Sequence, residues 1–150
     1  MGQDSEDAAG GITLGLLSEL LDYKIRSAQL FTFEKFRNLA SDLGITSGQA
    51  GALVLIANNP GISQAHLARA MRIERATMGT TISRMIDHGW VDRLQNSGNR
   101  RAYALFLSDK GAKLMERLLP VMKEHDRAIK ANLNAEEAQI LNSLLHKMHG

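Results

Sequence analysis

The sequence predicts a mainly α-helical fold that carries one small β-hairpin. Three observations support this prediction. Apolar residues recur at helical spacing over long segments at both ends of the chain. Two short helical segments joined by a tight turn occupy the middle. Directly after them, the pattern changes to two extended runs around a turn rich in asparagine, serine and glycine.

Length and composition narrow the class of protein. The chain has 150 residues, enough for one compact domain with its own core. It has no cysteine, which excludes disulfides, thiolate metal ligands and a cysteine redox sensor. No apolar run approaches the roughly 20 residues that span a bilayer, so we expect no membrane partner. Residues 1–11 lack a signal-peptide pattern, and we expect a disordered acidic tail in a cytoplasmic protein.

Charge is unevenly distributed along the chain. The formal net charge is only +2, but residues 60–101 hold seven arginines, no lysine and three acidic residues. A guanidinium group donates two parallel hydrogen bonds, which suits phosphates and guanine edges. A solvated basic surface has the same composition, so charge alone does not identify a partner.

Long helices are predicted at both ends of the chain. Residues 12–44 are interpreted as an N-terminal dimerisation helix, helical over 13–41 and capped by Gly44. Residues 109–150 are interpreted as C-terminal dimerisation helices, the first of which begins after Ser108 and contains Pro120. Long helices at a chain end often pack against a partner subunit, so we expect a homodimer.

The sequence pattern of residues 45–108, in the middle of the chain, predicts a DNA-binding lobe. A capping-box pattern at 46–49 opens one helix, and Ser63 opens a short helix over 64–71. The tight turn 72–74 leads to a second helix over 75–88, so this pair matches a helix-turn-helix. Strands over 90–94 and 101–107 then form a hairpin, which in this place is a wing.

The stretch 45–118 resembles the MarR family of bacterial regulators. The resemblance depends on the order and spacing of six short segments, which are 45–49, 63–68, 73–77, 89–91, 100–101 and 107–111. It implies a winged helix-turn-helix between terminal helices that build the dimer. The family usually has an aspartate two residues before the second wing arginine, where this chain has Asn99. An amide forms no ion pair, so we expect a less firmly braced wing.

The helix over 75–88 is predicted to enter the major groove of double-stranded DNA. Met78, Ile82, Met85 and Ile86 share one face and should be buried. The other face is slim and polar, and hydroxyls, methyls and an arginine can contact bases or phosphates there. A small-residue helix packed in a protein interface is the alternative. The predicted DNA-binding residues are Arg75, Ala76, Thr77, Thr80, Ser83, Arg84, Arg100, Arg101, Ser63 and His66.

The effector is predicted from the resemblance alone. Family members typically bind small aromatic acids, antibiotics or aromatic acyl-CoA esters between the dimer helices and the DNA-binding lobe. In this chain Tyr23, Arg26, Phe33 and Arg37 lie in that region, although core aromatics and surface arginines have the same pattern. We therefore expect a regulator, more commonly a repressor than an activator, that an aromatic acid or aromatic acyl-CoA releases from a palindromic site.

Two other functional classes were compared with this one. A zinc-responsive regulator of the same fold is the first, because His146 and His149 have helical metal-binding spacing; a solvated pair at the chain end is the simpler interpretation. A winged-helix module that binds protein is the second. We find no nucleophile elbow, phosphate-binding glycine loop or zinc-protease pair, and therefore predict no enzyme, cofactor or bound metal.

Overall fold

The computed structural model describes residues 12–96 and 99–149, with backbone alone at residues 96 and 99–102. The predicted tail over 1–11 lies outside the described residues. The chain forms six α-helices and three strands within the described ranges, in the order α1 (Leu21–Leu39), α2 (Ser47–Asn58), β1 (Ile62–Ser63), α3 (Gln64–Ala70), α4 (Arg75–Asp87), β2 (Val91–Asn96), β3 (Asn99–Leu107), α5 (Asp109–Ile129) and α6 (Ala135–His149). The predicted mainly α fold with a winged helix-turn-helix is confirmed.

The first helix is shorter than the sequence predicts. A 3-10 helix covers Gly15–Glu19, and Leu20 is extended with φ −78° and ψ 128°, so α1 begins only at Leu21. The prediction of one helix over 13–41 is therefore wrong at its start. Gly15 has a φ of +55°, outside the right-handed helical region, and the Ser18 hydroxyl donates to its carbonyl at 2.7 Å. Apolar spacing continues across this break and does not reveal it.

Side-chain caps begin three of the helices as predicted. The Thr46 hydroxyl accepts from the Gln49 backbone N–H at 3.2 Å, and the Gln49 side chain accepts from the Thr46 N–H at 3.0 Å. The Ser63 hydroxyl accepts from the His66 N–H at 3.2 Å, and the Ser108 hydroxyl accepts from the Gly111 N–H at 2.9 Å. Gly44 is left-handed, as expected of a cap, but it ends the 3-10 helix Ser41–Leu43 and not α1.

The turn between α3 and α4 is a Schellman motif. The Ile73 N–H donates to the Ala68 carbonyl at 3.1 Å, and the Arg72 N–H donates to the Arg69 carbonyl at 3.2 Å. Arg72 occupies the left-handed position with a φ of 54°, where glycine is usual. The tight turn predicted over 72–74 is therefore present, with a strained residue at its centre.

A three-stranded antiparallel sheet in the order β1-β3-β2 closes the lobe. β2 and β3 form the wing, with Val91 opposite Leu107 and a register shift between Gln95 and Asn96. Both strands reach further toward the turn than predicted, so the connection is shorter than the expected 95–99. The sequence did not predict β1, because its two residues form a strand only by pairing with β3, Ile62 lying opposite Leu105.

The hydrophobic core lies within the lobe, the end of α1 and the first half of α5. Its fully buried larger side chains are Leu53, Ile56, Leu67, Met78, Ile82, Met85, Val91, Leu105 and Leu118. Only Phe36 of α1 is buried, and α6 has no buried residue. No helix within the described ranges is both long and apolar enough to cross a membrane.

Candidate nucleic-acid interface

Helix α4 buries one face and exposes the other, as its sequence predicts. Met78, Ile82 and Met85 are buried against the core, and Ile86 is partly buried. All six residues predicted for the outer face are exposed, namely Ala76, Thr77, Thr80, Ser83, Arg84 and Asp87. This face has no lysine or glutamate stem, so the helix is slim enough for a groove about 12 Å wide.

Two threonine hydroxyls on α4 bond back to the helix. The Thr80 hydroxyl donates to the Ala76 carbonyl at 3.3 Å, and the Thr81 hydroxyl donates to the Thr77 carbonyl at 3.0 Å. Each hydroxyl hydrogen is then engaged, while the oxygen keeps free acceptor capacity. On the exposed Thr80, this favours contact with a donor such as the amino group of adenine or cytosine.

The arginines of α3, α4 and the turn between them have no carboxylate partners among the described residues. Within those residues, the ion pairs lie on α5, where Arg127 contacts Glu124 and Lys130 contacts Asp126. The exposed guanidinium groups of the helix pair therefore remain available to phosphates. These groups belong to Arg69, Arg72, Arg75 and Arg84.

The start of α3 brings Ser63 and His66 together. The Ser63 hydroxyl lies 3.1 Å from Nδ1 of His66, in addition to accepting from its backbone N–H. This contact fixes the ring of His66, which is exposed at the first turn of the helix. Both residues were predicted to contact DNA, and the structure places them at the N-terminal end of α3, next to the sheet.

The wing provides one contact that the sequence did not predict. The Arg93 guanidinium on β2 lies over the Tyr103 ring on β3, 4.3 Å from its centroid. Neither residue was singled out, because a cross-strand pair depends on a register that the sequence alone does not fix. Arg100 and Arg101 lie on β3, but their side chains are outside those described.

A cavity of about 550 Å³ lies between α1 and the start of α2. It contains two of the four predicted effector-binding residues, Phe33 and Arg37, which are one helical turn apart. Tyr23 and Arg26 do not line it; they lie about two turns and about one turn before Leu30, the first α1 residue of the lining. The complete lining is Leu30, Phe33, Glu34, Phe36, Arg37, Ile45, Thr46 and Ser47.

The histidines outside the helix pair have different surroundings. Nε2 of His125 lies 2.9 Å from the Thr32 carbonyl, and its ring meets Phe36 edge-on at 5.4 Å, so it connects α5 to α1. The rings of His146 and His149 are exposed, with centroids 6.5 Å apart. Within the part of the chain that the structure describes, no three potential ligands gather as a metal site would require.

Comparisons with known proteins agree with this architecture. The profile of the MarR family matches residues 45–103. An uncharacterised helix-turn-helix transcriptional regulator of Bacillus subtilis, YybA, is 32% identical over 108 residues, covering 71% of each chain. A transcriptional regulatory protein proposed for the hcr operon of Thauera aromatica is 29% identical over 136 residues, covering 90% of this chain and 82% of its own.

A solved structure of a DNA complex is also similar. The transcriptional repressor CouR, bound to a 23-mer DNA duplex, superposes with a TM-score of 0.85 at 28% identity. The match covers 93% of this chain and 99% of that one, so it includes the terminal helices as well as the lobe.

Proposed function

Because the chain belongs to the MarR family of DNA-binding transcription regulators, we propose that it is a ligand-responsive repressor. In this proposal a homodimer binds a palindromic operator, and a small aromatic acid or aromatic acyl-CoA releases it. The repressor CouR, with which the chain superposes, supports the choice of repression.

The exposed face of α4 is the observation that carries the proposal. Apart from Asp87, its residues are small or hydroxyl-bearing, with Arg84 in the last turn of the helix as the single long basic side chain among them. We assign base contacts to Thr77, Thr80 and Arg84 and phosphate contacts to Arg75, Ser63 and His66. The wing arginines, Arg100 and Arg101, are assigned to the flanking backbone, one of them reaching DNA because strand neighbours point to opposite sides.

Exposed apolar residues on the terminal helices support the homodimer. Leu141, Leu144 and Leu145 of α6 are between 41% and 55% exposed, and Leu16 before α1 is 69% exposed. A monomer in water rarely leaves such surface open, whereas a second copy would cover it. A symmetric dimer then presents two α4 helices to successive major grooves, with half-sites about 10 base pairs apart.

The cavity beside α1 supports an effector that carries an acidic group. Leu30, Phe33 and Phe36 offer apolar surface, and the polar part of the lining includes the Arg37 guanidinium and the Ser47 hydroxyl as donors and the Glu34 carboxylate. A carboxylate, or a phosphate of the CoA moiety, would pair with Arg37, and an aromatic ring would pack on the phenylalanines. Such a ligand would use both the polar and the apolar lining of the cavity. Because α1 and α2 both line the cavity, a ligand there contacts a terminal helix and the lobe together.

DNA binding is tested with a duplex selected from a random library by the wild-type protein. We expect Arg84→Ala to lose about 1–3 kcal/mol on this duplex and to relax base preference at one position of each half-site. Arg117→Ala, an exposed arginine on α5, is the matched control and should change little. Equal losses on selected and random duplexes would reassign Arg84 to a phosphate.

Three further readouts of the same experiment test the rest of the proposal. Footprints should show two symmetric half-sites, and a single half-site on a monomer would contradict the dimer. Affinity should fall steeply with salt, whereas a module that binds protein would show no such slope. Aromatic acids, their CoA esters and zinc are added in turn, and release by zinc alone would favour the zinc-responsive alternative.

A further inference from the structure

We propose that Gln64 is a positioning residue that sets the wing relative to α4, and that Gly79 is required because it leaves space for the Gln64 side chain. The inference rests on the proposed function, since it concerns how α4 and the wing are held for simultaneous contact with DNA. It assigns a role to Gln64, Gly79 and Arg93, none of which is a predicted DNA contact.

The Gln64 amide lies where three elements meet. Gln64 is the first residue of α3. Its Nε2 donates to the carbonyl of Arg75, the first residue of α4, at 3.4 Å. Its Oε1 accepts from Nη2 of Arg93 on β2 at 3.5 Å. One side chain therefore connects both helices of the helix-turn-helix with a wing strand.

Arg93 extends this connection across the wing. Its guanidinium is held over the Tyr103 ring at 4.3 Å, so the same group contacts both β2 and β3. In the sheet, Arg93 lies opposite Leu105 and is diagonal to Tyr103, which is a usual distance for long side chains to interact. A displacement of the Gln64 amide would therefore alter the contacts of both strands of the wing.

Gly79 explains how the amide comes so close to α4. A Cβ at this position would lie 3.0 Å from Nε2 of Gln64 and 3.9 Å from its Cδ. Alanine would push the amide away by a few tenths of an ångström. Both hydrogen bonds, at 3.4 and 3.5 Å, are already longer than the usual range of about 2.7–3.2 Å, so a shift that lengthens them further would break them. This accounts for a glycine inside a helix, where it otherwise weakens helix formation.

Replacing Gly79 by alanine should affect helix stability and wing position in opposite ways, and this contrast distinguishes the proposal from a purely structural role. Alanine favours the helical conformation over glycine, so Gly79→Ala should leave the melting temperature unchanged or raise it. The same substitution should loosen the wing and weaken DNA binding. A residue that merely supports the fold would lower stability and affinity together.

The test is a double-mutant cycle of Gly79→Ala and Gln64→Ala on the full chain. Hydrogen exchange of β2 and β3 is measured in the free protein, and affinity and its salt slope are measured with the selected duplex. With Gln64 present, Gly79→Ala should speed wing exchange, lower affinity about three- to tenfold and reduce the slope. With Gln64→Ala in place, it should change each quantity less than twofold.

The outcomes separate this inference from the function on which it rests. Equal losses from Gly79→Ala in both backgrounds would mean that the new methyl group meets DNA directly, and would overturn the role of Gln64. Unchanged wing exchange in the free protein would overturn it too. A wild-type protein that selects no duplex would overturn the proposed function itself, and with it the DNA-binding part of this inference.

Discussion

Gly111 lies at a crowded junction, and its replacement by alanine should destabilise the fold. It is buried in the first turn of α5, where a Cβ would lie 2.1 Å from the Trp90 carbonyl oxygen and 2.9 Å from Cδ1 of Leu107. The same carbonyl accepts from the Ser108 N–H at 3.1 Å, and the Ser108 hydroxyl donates to the Gly89 carbonyl at 2.6 Å. The start of α5, the start of β2 and the end of β3 thus meet at one glycine.

The magnitude follows from this geometry. Real Cβ atoms essentially never come within 3.0 Å of such a neighbour, so the backbone must move by about 1 Å. Overpacking of this kind costs about 1–3 kcal/mol, and strain on the Ser108–Trp90 hydrogen bond adds about 1 kcal/mol. The higher helix propensity of alanine offsets about 1 kcal/mol. The last two effects cancel, so we expect a net loss of about 1–3 kcal/mol.

Urea unfolding at fixed protein concentration measures this loss. Trp90 is the only tryptophan of the chain and is buried, so its fluorescence reports unfolding, with far-UV circular dichroism as the second probe. Gly48→Ala in α2 is the matched control, because a Cβ there meets nothing within 4 Å. If Gly111→Ala proves as stable as Gly48→Ala, the junction is not as tightly packed as these distances indicate.

Two further substitutions test the left-handed turn residue Arg72 and the cavity residue Arg37. Arg72→Gly should raise the free energy of unfolding by about 1 kcal/mol because it relieves the left-handed backbone; Arg72→Ala is the control, and an equal gain there would exclude backbone relief as the cause. Arg37→Gln should weaken release of the selected duplex by an aromatic acid at least tenfold while leaving affinity for the duplex itself unchanged. Arg26→Gln, outside the cavity, should respond as the wild type does, and parallel losses in the two variants would refute the assignment of the cavity to the effector.

Features that depend on neighbouring residues were predictable from the sequence. Each cap joins a side chain to a backbone N–H three residues later, so the spacing at Thr46, Ser63 and Ser108 was sufficient. The buried and exposed faces of α4 follow from helical periodicity, which needs no knowledge of what packs against it. The exposed face of α4 was therefore predictable from the sequence alone.

Features that depend on distant residues were not predictable in the same way. β1 becomes a strand only because β3, about 40 residues later, offers its edge. The contact of Gln64 with Arg93 joins residues 29 positions apart through ordinary polar side chains, and neither residue type marks it in advance. For α1, helical spacing put Phe33 and Arg37 one turn apart, and both line the cavity, but spacing cannot tell where along a helix a cavity ends, and Tyr23 and Arg26 lie outside its lining.

The location of the cavity sets what an effector must do in the proposed mechanism. Its lining joins α1, through Phe33 and Arg37, to the capped start of α2 at Thr46 and Ser47. His125 of α5 lies 2.9 Å from the Thr32 carbonyl and meets the ring of Phe36, a lining residue, so α1 is held to α5 next to the cavity. A ligand that bound equally well in every arrangement of α1 and α2 would release nothing, however tightly it bound. A hundredfold loss of DNA affinity requires a hundredfold preference, about 2.7 kcal/mol, for the arrangement that DNA disfavours. One charged hydrogen bond from Arg37 is worth about that much if only one arrangement allows it.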